Sequence, residues 1–322
     1  MKRFSIFILL IFISITVSYG KQLPKLTFSP HWLPQAQFTG YYVADKLGFY
    51  EEEGIDVEIK HPSTSVNVAE MLKKGESDVI SLFLTTAISY KNEGCDLVNI
   101  CQTSQNSALL FVSKKERNYT SLADYNGKRI GVWKSGFDEV GKALIHSNNY
   151  EVKWIPINST VNLFLFDGID AMTVMWYNEY HQIINSGYNE DELNTLMFSD
   201  YGYNIPEDGI YCLKNTYIER KDDLKKFIKA TLRGWEYTKT HKEEALNIVL
   251  DIMRKNHVAT NKSHQTWMLD KILKLLEPGQ KNIKVGELLE SDFNKTQEIL
   301  IDGGYTNKYY QFDEFYKPLI DN

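Results

Sequence analysis

Residues 25–59 run KLTFSPHWLPQAQFTGYYVADKLGFYEEEGIDVEI, and their pattern decides the fold. The spacing predicts a short strand over 25–28. A helix follows over 36–48, with Phe38, Tyr41, Tyr42 and Leu47 at helical spacing and Gly48 as its C-terminal glycine. Over 55–59, Ile55, Val57 and Ile59 alternate with Asp56 and Glu58, as in a half-buried strand. Strand, helix and strand with short connections make a crossover unit whose two strands run parallel.

The same alternation extends outward. A helix over 66–74 stops at Gly75, a buried strand covers 78–82, a helix over 85–92 stops at Gly94, and strands cover 97–100 and 109–113. A second unit begins near Ser121, with a turn at Asn126-Gly127 and strands over 128–133, 152–155 and 170–175. One helix follows Ser135-Gly136 as far as Ile145, another covers about 176–184, and 204–213 is extended. From Lys221 the pattern is mostly helical, with Leu224, Phe227, Ile228, Thr231, Leu232 and Trp235 on one stripe. Further helices fit 243–255, 263–276 and 291–301, and Pro278-Gly279 breaks the run. The expectation is an α/β chain of two lobes, each a mainly parallel sheet flanked by helices, with ligand beyond the carboxyl ends of the strands. Without a linker, the lobes join through two crossing strands, expected at 110–115 and 209–215. That divides the chain into 21–112, 113–211 and 212–322, the last returning to the first lobe.

Residues 1–20 read as a secretory signal peptide. Lys2 and Arg3 precede an apolar run over 4–17, and Ser18 and Gly20 sit three and one positions before the expected cut. The run is shorter than the roughly 20 residues of a membrane span. The mature chain is therefore expected in the periplasm or secreted. Net charge is −6 and no basic stretch is sustained, which excludes a nucleic-acid surface. The 20 Tyr, 16 Phe and 6 Trp are core material first, with a surplus for lining a cleft. Cys95, Cys101 and Cys212 lack the spacing and His partners of a metal site. They read either as a Cys95–Cys101 disulfide with one free thiol or as three buried thiols.

Several blocks carry a family resemblance: 31–44, Gly48-Phe49-Tyr50, 53–57, 75–79, 122–131, Asp170-Ala171-Met172 and Tyr177-Asn178-Glu179-Tyr180. In this order and spacing the chain resembles the thiamine-pyrimidine-synthase-like group of periplasmic solute-binding proteins. It is similar, more distantly, to binding components for sulfonates, nitrate and pyrimidine precursors. The resemblance implies a type II periplasmic-binding-protein fold with a two-strand hinge and a ligand in the cleft. It also implies an acidic residue near Glu179 against ligand amino groups.

Candidate ligand residues follow from strand ends. Trp32 reads as a stacking face or as a cap on the first lobe's core. Phe38 and Tyr42 lie on the next helix, where some aromatics must be core, and the Tyr42 hydroxyl is a candidate to reach the cleft. Ser63 and Thr64 form a polar turn that binds ligand or caps a helix. Thr85 and Thr86 open a helix at the same sheet edge. In the second lobe, Ser135, Gly136 and Asp138 lie between a strand and a helix, with a single glycine and no nucleotide fingerprint. Trp176, Tyr177 and Glu179 follow another strand end. There Glu179 accepts from a ligand amine, pairs with a surface lysine or caps a helix. Asp208, beside Gly209, is a further candidate.

Eukaryotic synthases of the resembling family use an active-site lysine and histidine, pyridoxal phosphate and iron, and carry a cysteine-rich run. Here the cysteines are scattered, and Lys60-His61 sit adjacent where a Lys-x3-His pair would fall. No cofactor is expected. The reading is a monomeric, non-enzymatic binding component that delivers an aminopyrimidine-like heterocycle to an ABC transporter permease. A pyrimidine synthase and a ligand-sensing module are the alternatives.

Overall fold

A computed structural model of the chain describes residues 22–63, 66–133, 138–158, 160–279 and 283–320. The expected signal peptide lies outside the described residues. Ten strands form two five-stranded sheets. The first contains β1 (Lys25–Ser29), β2 (Asp56–Ile59), β3 (Val79–Phe83) and β4 (Leu97–Cys101). The second contains β5 (Leu109–Lys114), β6 (Arg129–Trp133), β7 (Lys153–Ile157), β8 (Ala171–Met175) and β9 (Leu193–Met197). The chain then returns to the first sheet as β10 (Asp208–Leu213).

The orders are β2-β1-β3-β10-β4 and β7-β6-β8-β5-β9. Each sheet has one reversed strand, β10 in the first and β5 in the second. Every residue of β3, β4, β5 and β8 is buried. That is why these read as continuous apolar runs rather than alternations. β2 is an edge strand and keeps the alternation of Val57 with Asp56 and Glu58. β7 tolerates Pro156 because it too is an edge, where one row of N–H groups has no ladder partner.

The chain crosses between sheets at 102–108 and 202–207, a few residues before the expected hinges. Segments 110–115 and 209–215 lie mainly within β5 and β10, and both strands are paired on two sides. The two crossings are tied side by side. Gln102 Nε2 donates to the carbonyls of Glu207 and Asp208, at 3.2 and 3.0 Å. Glu207 Oε1 accepts from the Ala108 N–H at 2.5 Å, and Asn204 Oδ1 accepts from the Ser107 N–H at 2.9 Å.

Helices cover both sheets. Thr39–Lys46 packs on Lys221–Thr240, whose buried stripe includes Leu224, Phe227, Ile228, Thr231 and Trp235. The contact depends on two glycines. A Cβ on Gly234 would fall 2.1 Å from the Gly40 carbonyl oxygen, and one on Gly40 would fall 2.3 Å from the Trp235 ring. Cys95, Cys101 and Cys212 are free, buried thiols.

Candidate ligand-binding site

A cavity of about 700 Å³ opens where the carboxyl ends of the strands meet the C-terminal helices. Its size is that of a small-molecule site.

The first-lobe wall is the segment after β1. His31 lies at 2.9 Å, through Nδ1, from Ser81 Oγ of β3, and its backbone N–H donates to the same oxygen at 3.0 Å. Gln37 Nε2 donates to Asp208 Oδ2 at 2.8 Å, and Gln35 Nε2 donates to Gln37 Oε1 at 2.6 Å. Burial pushes His31 down to about 3 and Asp208 up to about 7. Their 3.9 Å approach therefore joins a neutral imidazole to a carboxyl that is easily protonated. Trp32 stands on this wall, 46 % exposed. Its carbonyl accepts from His61 Nδ1 at 2.7 Å, which leaves His61 Nε2 to accept from the Tyr42 hydroxyl at 2.9 Å.

The second-lobe wall comes from the ends of β6 and β8: Trp133, Met175, Tyr177, Asn178 and Glu179. Glu179 opens the helix Glu179–Asn185. Its Oε2 accepts from the Met175 N–H at 2.8 Å, and its Oε1 from Asn178 Nδ2 at 2.7 Å. Removal of this carboxyl from bulk solvent pushes it up to about 7. The third wall holds Met253, residues 258–261, His264 and Gln265. Burial holds His264 down at about 4. Among the described residues lining the cavity there is no Lys or Arg, and Glu179 is the one carboxylate side chain. The described lining is thus aromatic and amide-rich.

Of the residues expected from sequence, Trp32, Tyr177 and Glu179 line this cavity together. Phe38 and Tyr42 do not, because both are buried in the first lobe's core and the Tyr42 hydroxyl is taken by His61. Trp176 turns away. Its carbonyl accepts from Trp267 Nε1 at 2.9 Å and its ring lies 4.0 Å under Lys271 Nζ, so Trp133 and Tyr177 supply the aromatic faces of this wall instead. Thr85 borders a separate void of about 20 Å³ beside Glu139 and Glu207. Thr86 is outside both. Ser63 is exposed and off the cavity, and the helix after it, Val68–Lys73, is capped by Asn67, which accepts from the Ala69 N–H. Asp138 pairs with Lys142 and accepts from the Tyr305 hydroxyl at 3.3 Å. Asp208 stands behind the wall, holding Gln37. Thr64, Ser135 and Gly136 lie outside the described residues. His31, Gln35, Gln37, Trp133, Asn178 and His264 went unread. The signal for Gln35 and Gln37 was their place in an otherwise apolar helix start, where a buried amide needs partners.

The sequence family described as NMT1/THI5 like matches residues 35–245, more than half of the chain. The chain belongs to this family. The relatives are distant in sequence. The formylaminopyrimidine-binding protein of Halalkalibacterium halodurans is 25 % identical over 266 residues, covering 78 % of this chain and 79 % of the relative. The 4-amino-5-hydroxymethyl-2-methylpyrimidine phosphate synthase of Legionella pneumophila is 23 % identical, covering 70 % and 72 %. Among solved structures, the periplasmic aliphatic sulphonate binding protein SsuA of Escherichia coli superposes with a TM-score of 0.72 at 11 % identity, covering 88 % of this chain and 94 % of that one. This NMT1/THI5-like chain therefore has the two-lobed periplasmic-binding-protein fold. Among its described residues, no helix is long and apolar enough to cross a membrane.

Proposed function

We propose that this chain is the solute-binding component of an ABC-type importer, working outside the cytoplasm and closing two lobes on a flat, amine-bearing heterocycle of the aminopyrimidine class. The observation that carries the reading is the pairing of Trp32 with Glu179 on opposite walls of one cavity with no described cation in its lining. A ring stacks on the indole, and an exocyclic amine donates to the carboxylate. Amides such as Gln182 and Asn185 serve the ring nitrogens. Among the described residues of these walls, a sulfonate or nitrate would meet no Lys or Arg. The lobes, 22–101 with 208–320 and 109–197, hinge at the two crossings, and ligand shifts the equilibrium toward closure. A membrane permease then reads the closed face.

The name of the Legionella relative raises the synthase alternative, and His61 speaks against it. Both ring nitrogens are engaged, one by the Trp32 carbonyl and one by Tyr42, and burial holds the ring down at about 4. An assay with pyridoxal phosphate, iron and oxygen should form no pyrimidine product above a heat-killed control. The direct test of the binding reading is mass spectrometry of ligand released by denaturing the purified protein. An aminopyrimidine mass supports it, and an alkanesulfonate in its place would sink it.

A further inference from the structure

The helix Lys262–Leu275 carries two stripes. Met268, Leu269, Ile272 and Leu275 are buried, and Gln265 Oε1 accepts from the Ala36 N–H at 2.7 Å, so this side is fixed to the first lobe. His264, Trp267 and Lys271, spaced i, i+3 and i+7, form the other side. All three meet the segment that follows β8 of the second lobe. Trp267 Nε1 donates to the Trp176 carbonyl at 2.9 Å. The Trp267 ring stacks on His181 at 4.7 Å and 20°. His264 Nε2 lies 3.2 Å from Asn178 Oδ1, and its Nδ1 lies 3.0 Å from His181 Nδ1. Lys271 Nζ sits 4.0 Å from the Trp176 ring and 3.9 Å from the Trp267 ring.

The hydrogen-bond roles are determined by the partners. Oδ1 of Asn178 accepts from Gln182 Nε2 at 2.9 Å, because Nδ2 of the same amide donates to Glu179. His264 must therefore present an N–H at Nε2 to Asn178, while its Nδ1 faces His181 Nδ1, which also lies 3.1 Å from Asn185 Nδ2. The chain His181–His264–Asn178–Glu179 runs from the lobe boundary into the cavity wall. Its last link orients the carboxylate.

We infer that His264 and Trp267 are positioning residues that clasp the lobes together outside the ligand and set the Glu179 carboxylate through Asn178. The clasp is a determinant of affinity that touches no ligand. Opening would break it as a unit: the hydrogen bonds from Trp267 and His264, the His181–His264 pair, a ring stack and a cation lodged between two indoles. Its polar members are uncharged except Lys271, whose pKa burial lowers, which makes separation in water a balanced event rather than the rupture of an ion pair.

The ligand arm of the test rests on the binding reading; the first arm does not. The native thiols are buried, so cysteines introduced at exposed Glu58 and Lys153, on the outer edges of the two sheets, take spin labels selectively. Distances between them are measured without ligand in the parent, Trp267→Ala, His264→Ala and Trp267→Phe, with unfolding curves recorded for each. The parent should populate the short separation of this structure. Both alanine variants should shift toward longer separations, and Trp267→Phe, which keeps a ring but loses the N–H donor, should fall between. With 4-amino-5-hydroxymethyl-2-methylpyrimidine as probe, each alanine variant should bind roughly three- to tenfold more weakly. Distance distributions that superimpose on the parent in both folded alanine variants would overturn the clasp. Variants that open while the parent takes up no pyrimidine would leave the clasp standing and defeat the ligand reading alone.

Discussion

The two long walls of the cavity are held in different ways. The first-lobe wall leans on its own sheet. His31 is bound by Ser81 of β3, Gln37 by Asp208 of β10, and the Trp32 carbonyl by the His61–Tyr42 pair. Nothing in that set comes from the other lobe. The second-lobe wall takes part of its support from across the boundary, because Asn178, which orients Glu179, is itself met by His264. One wall is therefore held within its own lobe, and the other is braced by a contact across the lobe boundary.

The largest effect is expected at the helix contact beside the first wall. Gly234→Ala drives a Cβ into the Gly40 backbone carbonyl, which cannot yield as a side-chain tip would. Overpacking of this kind costs on the order of 1–3 kcal/mol or more. Denaturant titration should show that loss, and ligand affinity should fall with it. Glu179→Gln acts on the second wall alone. A charged acceptor is lost, worth about 1.5–3 kcal/mol, so binding should weaken roughly tenfold or more. Both carboxylate oxygens accept, from the Met175 N–H and Asn178 Nδ2, so the amide turns a donor toward one of them. The unfolding midpoint should therefore also fall, by less than in Gly234→Ala.

A subtler contrast concerns the hinge. Burial pushes Glu207 from 4.5 up to about 8. A carboxyl with a raised folded-state pKa binds more protons folded than unfolded. Its contribution to stability is present below pH 4.5 and lost as pH rises toward about 8. Glu207→Gln keeps the acceptor for the Ala108 N–H and removes the titration. Thermal unfolding of the variant should fall less steeply between those pH values, and above pH 8 the variant should be the more stable of the two. Asp208, Glu179 and Glu139 also titrate upward, so a residual slope should remain. An unchanged slope would mean that Glu207 is ionised in the folded chain.

Much of this architecture was legible in sequence because its elements are periodic. The alternation over 55–59 and the stripe from Leu224 to Trp235 each mark one buried face, and both elements stand where expected. β9 was missed because Leu193-Asn194-Thr195-Leu196-Met197 is an edge strand with neither alternation nor a continuous apolar run. The crossings were misplaced for a related reason. The apolar runs of β5 and β10 were visible, but the polar segments just before them, which do the crossing, carry no periodicity. The place of Trp32 and Glu179 on the cavity lining could be read because each follows a strand end. The rotation of Trp176 away from the cavity could not, since it depends on Trp267, ninety-one positions later in the chain. The stripe His264, Trp267 and Lys271 was present in the sequence, but a polar stripe on a helix ordinarily faces water, and only packing reveals the second lobe beneath it.

Trp32 and Glu179 are proposed to act from opposite lobes on one flat ligand. This joint action is tested most directly by calorimetric titration of 4-amino-5-hydroxymethyl-2-methylpyrimidine into the wild type, Trp32→Ala and Glu179→Gln, at a temperature below the unfolding range of all three. Saturable binding to a single site is expected in the wild type, with a loss on the order of 1–3 kcal/mol in Trp32→Ala, as for base–aromatic stacking, and a loss of similar size in Glu179→Gln. Unchanged affinity in both folded variants would contradict the joint action.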